Sequence, residues 1–106
     1  MDLVVMIYSQ SRAFPKEEMY GLTNQMRRAA VSIPSNIAEG QGRSTTKEFL
    51  HMLYVARGSL MELQTQSEIA SRLDYLKPDA AEKIVQLSGS VGRLLNALIN
   101  ALKRKL

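Results

Sequence analysis

Apolar side chains recur every three or four residues along most of this chain, which is the spacing of one face of an α-helix. In the first half the row runs through Leu22, Met26, Ala29, Ala30, Ile33 and Ile37. In the last quarter it runs through Ile84, Leu87, Val91, Leu94, Leu95, Leu98 and Leu102. No segment shows the sustained apolar and polar alternation of a half-buried strand. The pattern therefore predicts an all-α protein.

Residues that start and stop helices divide the first half of this pattern. A short first helix is predicted from Asp2 to about Arg12, and a second from about residue 16 to about residue 40. Pro15 suits the first turn of the second helix, because its missing N–H needs no partner there. Gly40 and Gly42 are expected to close this helix, with glycine in the left-handed conformation after the last turn.

Two further signals divide the second half of the chain. Thr45-x-x-Glu48 has the form of a capping box, which predicts the start of a third helix at about residue 46. Pro78 is expected to open the fourth. Helices joined by short connections pack most simply as an up-down antiparallel four-helix bundle, and we expect residues 1–106 to form one such domain.

The second helix contains a proline near its centre. Pro34 cannot donate to the Ala30 carbonyl, which costs about 3 kcal/mol inside a helix. Because the apolar row stays in phase through Ile33 and Ile37, we expect the helix to continue through Pro34 with a kink. Ser32 and Asn36 could satisfy the freed carbonyl through a side chain or a water. The candidates for a structural polar network between the second and third helices are Arg28, Ser32, Asn36, Glu39, Ser59 and Glu62.

The chain is basic, with 14 Lys and Arg residues, 10 Asp and Glu residues and a net charge of +4. Basic side chains neutralise phosphates and release counterions, so they favour salt-sensitive, backbone-driven binding of RNA or DNA. Base stacking is not expected, because no aromatic residues alternate with the basic ones. In the alternative interpretation Arg57 pairs with Glu62 or Glu39, and Arg28 pairs with Glu39. The candidate nucleic-acid contacts are Arg27, Arg28, Arg43, Lys47, Arg57, Lys103, Arg104 and Lys105, and the first five are expected to lie near one another.

Other chemistry is poorly supported. The chain has no Cys, and His51 is its only His. Glu48-x-x-His51 is half of the pattern that carboxylate-bridged di-iron bundles use, but the second half is missing. No phosphate-binding loop follows a strand. We therefore expect no enzymatic activity, no cofactor and no metal. No apolar run reaches membrane-spanning length, so we expect a cytoplasmic protein without membrane contact.

Several motifs together resemble a known family. The chain contains Phe14-Pro15-x-Glu-Glu, Leu22-x-x-Gln-x-Arg-Arg-Ala-Ala-x-Ser-Ile-Pro-x-Asn-Ile-Ala-Glu-Gly, Gly42-Arg43 and Tyr54-x-Ala-Arg-Gly-Ser-x-x-Glu-Leu. This combination resembles the four-helix-bundle 23S rRNA-intervening-sequence proteins and, more distantly, the accessory variability proteins of diversity-generating retroelements. Relatives usually have a longer segment before Asp2-Leu3-Val4, so we expect either a truncated start or a short first helix.

The resemblance implies a homopentamer whose basic surface meets nucleic acid and, in the retroelement branch, a reverse transcriptase partner. It implies no settled biochemical activity. Apolar residues on two sides of the third helix also favour an oligomer, because one bundle would leave them in water. Two functions follow as alternatives. One is a non-enzymatic, nucleic-acid-associated accessory or scaffold module, and the other is a structural or adaptor oligomer that binds another protein and no nucleic acid.

Overall fold

The computed structural model describes residues 1–106 and consists of four α-helices and no strand. The helices are α1 (Asp2–Ser11), α2 (Leu22–Gln41), α3 (Thr46–Arg72) and α4 (Pro78–Lys103). The molecule measures 46 × 24 × 18 Å along its principal axes. The all-α prediction is confirmed, and so are the bundle architecture and the predicted starts of α3 and α4.

Each helix packs against its neighbours in the chain, and α1 also contacts α4, which closes the bundle. The α2–α3 contact is the most extensive. Large side chains from all four helices are fully buried between them: Ile7, Met26, Leu53, Leu63, Ile84, Leu95 and Ile99. The apolar rows of the sequence therefore face one shared core. No helix is both long enough and apolar enough to span a lipid bilayer.

The start of α2 differs from the prediction by about six residues. Residues Lys16–Glu18 form a single 3₁₀ turn, and α2 begins only at Leu22. The Glu18 carboxylate accepts hydrogen bonds from the Leu22 N–H at 3.4 Å and from the Tyr75 hydroxyl at 3.0 Å. Glu18 therefore caps α2 from outside the helix and ties this turn to the α3–α4 connection, so the helix does not begin at residue 16.

Pro34 lies inside α2, which continues for seven residues beyond it to Gln41. The predicted left-handed glycine at the end of this helix is wrong, because Gly42 has φ −84° and ψ −4° and no glycine has a positive φ. Gly40 is needed for another reason. A Cβ there would lie 2.7 Å from Phe49 Cδ1 and 3.0 Å from Met52 Cβ. Glycine thus permits α2 and α3 to approach closely.

The left-handed residue that ends a helix is instead Asp74, with φ 61°, just after α3. The Tyr75 N–H donates to the Ala70 carbonyl at 2.9 Å, which is the closing bond of a Schellman motif. Aspartate tolerates this conformation better than most residues with a Cβ.

At the start of α3, the Thr45 hydroxyl accepts from the Glu48 N–H at 3.1 Å, so Thr45 caps this helix. The return bond of a capping box, from the Thr45 N–H to the Glu48 carboxylate, does not form.

Candidate nucleic-acid interface at one end of the bundle

The net positive charge is concentrated at one end of the bundle. We call residues 33–58 and 91–106 the basic end, because the end of α2, the start of α3 and the end of α4 meet there. It contains two acidic residues, Glu39 and Glu48. Its seven basic residues are Arg43, Lys47, Arg57, Arg93, Lys103, Arg104 and Lys105, giving a net charge of +5. The rest of the chain has seven basic and eight acidic residues, a net charge of −1.

The α2–α3 connection forms one part of the basic end. Arg43, Lys47 and His51 line an open depression of about 490 Å³ together with Glu48. The Arg43 guanidinium pairs with Glu39, one helical turn earlier, and both side chains are about half exposed. Lys47 is exposed and has no carboxylate within ion-pair distance. An anion approaching this depression would therefore meet an unpaired ammonium and a weakly paired guanidinium beside the carboxylate of Glu48.

The α3–α4 side of the basic end holds a second cluster. The Arg57 guanidinium lies 4.9 Å from the centre of the Tyr54 ring, and the Lys103 ammonium lies 5.9 Å from it. Arg57 also donates to the Asn96 side-chain oxygen at 3.1 Å. Tyr54 thus contacts two cations from neighbouring helices, and Asn96 fixes one of them, Arg57.

Sequence reasoning did not identify Tyr54 or Asn96 as part of this cluster. The Tyr54–Arg57 pair has the i, i+3 spacing of neighbours on a helix and could have been found from it. Asn96 lies 39 residues from Arg57 in the chain, and no local signal links them.

The last basic residues, Lys103, Arg104 and Lys105, are exposed at and just beyond the end of α4. None of them has a carboxylate within ion-pair distance. They lie close to α3 because α4 is antiparallel to it, as the Lys103 contact with Tyr54 shows. The C-terminal basic residues and Arg57 thus lie in one cluster.

The structure does not bring Arg27 and Arg28 to this site. Between Arg28 and the end of α2 at Gln41, the helix rises about 20 Å. Arg27 instead donates to the Ser11 hydroxyl at 2.8 Å and lies 4.9 Å from the centre of the Tyr8 ring, both in α1. The expectation that five basic residues of helices two and three lie together is therefore wrong, because it ignored the length of α2.

The expected intrachain ion pairs of Arg57 and Arg28 do not form either. Arg57 turns towards α4 instead of Glu62, and Glu39 is taken by Arg43. Arg28 is exposed and has no ion-pair partner. The structure contains two ion pairs, Glu39–Arg43 and Glu68–Arg72, each within a single exposed helical turn.

A chain of polar side chains links α2 to α3 beside Pro34. The Ser32 and Ser59 hydroxyls are 2.8 Å apart, and the Asn36 amide donates to the Ser32 hydroxyl at 2.8 Å. The same amide donates to the Ser32 carbonyl at 2.7 Å and not to the Ala30 carbonyl that Pro34 leaves free. A direct side-chain bond to the Ala30 carbonyl is therefore absent, and the alternative of a bridging water stays a prediction.

The other network candidates lie outside this hydrogen-bonded chain. Arg28 and Glu62 line an adjacent polar groove of about 520 Å³ between α2 and α3, and Glu39 bonds only to Arg43. The residues that do bond to one another are Ser32, Asn36 and Ser59, and all three are neutral. The network therefore holds α2 and α3 together without offering a charged site.

Comparison with known proteins agrees with this architecture. A solved structure from Bacteroides thetaiotaomicron VPI-5482, described as a protein of unknown function from the S23 ribosomal protein family, has the same fold with a TM-score of 0.81. The two sequences are 22% identical, and the match covers 92% of this chain and 90% of that one. No curated protein is significantly similar to the chain. The family model for the 23S rRNA-intervening sequence protein matches residues 1–97, and the chain therefore belongs to that family.

Proposed function

We propose that this protein is a non-enzymatic, oligomeric accessory module that binds the backbone of RNA or DNA through its basic end. The observation that supports this most strongly is the separation of charge along the 46 Å axis, with +5 at the basic end and −1 elsewhere. A concentrated patch of one sign attracts a polyanion and orients it, whereas the same charges spread over the surface would not. We expect the protein to lie in the cytoplasm, and this location stays a prediction.

The proposed contacts are the basic residues that the structure gathers at this end: Arg43, Lys47, Arg57, Lys103, Arg104 and Lys105. Most of them are exposed, and the only ion pair among them is the surface pair of Arg43 with Glu39. Such a pair contributes about 0–1 kcal/mol and yields readily to a phosphate. Arg27 is assigned instead to holding α1 against α2, and Arg28 lies away from the patch.

Binding through phosphates makes a specific claim about salt. Each phosphate neutralised on duplex DNA lowers the slope of log K against log salt by about 0.9, so six contacts give a slope of about −5. Phosphates carry no sequence information, so affinity should vary little between sequences of equal length.

A fluorescence anisotropy titration with labelled RNA and DNA oligonucleotides, at about 50 mM and about 200 mM salt, measures this slope. The informative variant is the double reversal Arg104→Glu with Lys105→Glu. Its matched control is Lys77→Glu with Lys83→Glu, which makes the same change in charge with exposed residues at the opposite end. We expect the first to lose most of the binding and the control to keep most of it. Equal losses, or no salt-sensitive binding by the wild-type protein, would contradict the proposal.

The second candidate function is a structural or adaptor oligomer that binds another protein. It is favoured by the exposed apolar side chains along α3, where Val55, Met61, Ile69 and Leu73 are between 38% and 58% exposed. Three of them, Val55, Ile69 and Leu73, lie on one side of the helix, and apolar groups placed in this way stabilise association when another chain covers them. The homopentamer that the family resemblance implies would use such a surface, and so would a protein partner such as a reverse transcriptase.

Light scattering separates the two candidates. We expect the wild-type protein to have an oligomeric mass in the absence of nucleic acid, and the Arg104→Glu, Lys105→Glu variant to keep that mass while losing RNA. A basic-end variant that dissociates the oligomer would instead assign these residues to subunit contacts.

A further inference from the structure

We infer that the basic end recognises double-stranded nucleic acid in preference to single strands. This inference rests on the proposed function and adds the form of the ligand to it. It follows from where the aromatic rings lie and from the spacing of the basic groups.

Proteins that bind single strands without sequence preference combine basic grooves with aromatic rings on which the bases stack. At the basic end of this protein, the large aromatic rings are those of Tyr54 and Phe49, and the exposed His51 adds an imidazole. The Tyr54 ring is half-buried against the core and has two of the protein's own cations, Arg57 and Lys103, over it. Phe49 is half-buried against Gly40. Neither ring is free to receive a base.

The other four aromatic residues lie away from the basic end. Tyr8 lies under Arg27, while Phe14 and Tyr75 pack against each other with ring centres 5.4 Å apart. Tyr20 is 94% exposed, but it follows Glu17 and Glu18 at the opposite end of the molecule. Stacking at the basic end is therefore limited to the small imidazole ring of His51, and the phosphates dominate the preference.

Phosphate density favours the duplex. A double helix carries about one negative charge per 1.7 Å of its axis, whereas each strand alone carries about one per 3.4 Å. A rigid duplex lying crosswise on the side of the basic end, where the bundle is 18–24 Å wide, presents about twice as many phosphates as an extended single strand. A flexible strand must also be ordered on binding, which lowers its affinity further.

The spacing along α3 fits two strands as well. Lys47 and Arg57 are ten residues apart on this helix, a rise of about 15 Å. This rise is comparable with the width of about 12 Å across the major groove of a DNA duplex, so the two residues can meet phosphates on opposite strands. Because Asn96 and Tyr54 already hold the Arg57 guanidinium in place, little side-chain freedom is lost on binding.

The test compares one labelled oligo-dT strand, which has little structure of its own, with the same strand annealed to its complement at about 50 mM salt. We expect the wild-type protein to bind the duplex about tenfold more tightly than the single strand, because the duplex has twice the charge density. Equal or tighter binding of the single strand, with normal salt sensitivity, would overturn this inference and leave the proposed function intact. Absence of salt-sensitive binding to either form would remove both.

A variant of Tyr54 tests whether bases stack on this ring. Tyr54→Leu removes the ring but keeps an apolar side chain. It releases Arg57 and Lys103 for either ligand and removes no stacked base, so we expect it to weaken single-strand and duplex binding by the same factor, to within about twofold. A loss of about tenfold for the single strand alone would show that a base does stack on Tyr54, and would refute the inference. Circular dichroism of the variant confirms that the helices remain intact.

Discussion

Replacing Gly40 by alanine tests how closely α2 and α3 approach each other. The new Cβ would lie 2.7 Å from Phe49 Cδ1 and 3.0 Å from Met52 Cβ. Rotation of the Phe49 ring can relieve the first contact, but the Met52 Cβ is fixed to the backbone of α3, so the second requires a small shift of the helices. Overpacking of this kind typically costs about 1–3 kcal/mol.

Part of this cost is recovered by the backbone. Alanine is favoured over glycine inside a helix by about 1 kcal/mol, and by less in the last turn, where Gly40 lies. We therefore expect Gly40→Ala to lower the free energy of unfolding by about 1 kcal/mol, with an upper bound of about 2.5 kcal/mol.

Gly58 provides the matched control, because it is exposed in the middle of α3 and no atom lies within 4 Å of the position that an added Cβ would take. Gly58→Ala is expected to raise the free energy of unfolding by about 1 kcal/mol. Urea unfolding followed by circular dichroism, at one fixed protein concentration, gives both values. If Gly40→Ala is as stable as the wild-type protein, the helices do not pack this closely. A loss of stability in Gly58→Ala would show that another chain covers that side of α3.

Three further predictions concern single contacts. Thr45→Ala removes the cap of α3 and should lower the free energy of unfolding by about 1 kcal/mol, whereas Thr45→Ser should keep most of it; equal losses would exclude capping. The hydrogen bond to Glu18 raises the pKa of the Tyr75 phenol above 10.0, so this bond stabilises the fold below that pH and is lost as the pH rises through the raised pKa. The free energy of unfolding, measured across this pH range, should fall more steeply with pH for the wild-type protein than for Tyr75→Phe. Identical pH profiles would contradict the hydrogen bond. Asn96→Leu frees the Arg57 guanidinium and should weaken duplex binding at low salt by about two- to tenfold, the cost of ordering one long side chain on binding; unchanged affinity would mean that Arg57 needs no positioning.

Features that depend on neighbouring residues in the chain were predictable. The apolar row kept its phase through Ile33, Pro34 and Ile37, and the structure has α2 continuous there. Thr45 and Pro78 marked the starts of α3 and α4 for equally local reasons. Such signals reflect backbone geometry and capping, which the rest of the fold rarely overrides.

Features that depend on distant residues were not predictable. Glu18 looked like an acidic residue in the first turn of a helix, but its carboxylate bonds to Tyr75, 57 residues away, and the helix begins later. The sequence favoured an acidic partner for Arg57, but in the folded protein α4 places Asn96 beside it, and Arg57 donates to Asn96 instead. The patterns show which face of each helix is buried. They do not show how far each helix is shifted along its axis relative to its neighbours, and this axial shift decides which charged residues come together.

The short first helix has a consequence for the order of folding. At ten residues, α1 has less than half the length of α3 or α4, and it buries only Leu3, Ile7 and Ser11 within the helix. The α2–α3 hairpin has a short connection and the most extensive contact in the molecule. Contacts between helices adjacent in the chain lower the contact order and speed folding, so this hairpin should nucleate the bundle and α4 should add to it. The closing contact between α1 and α4 joins the two ends of the chain and should form last. In the native protein the amide hydrogens of α1 should then exchange fastest among the helices, through a local opening that leaves the α2–α3 hairpin folded.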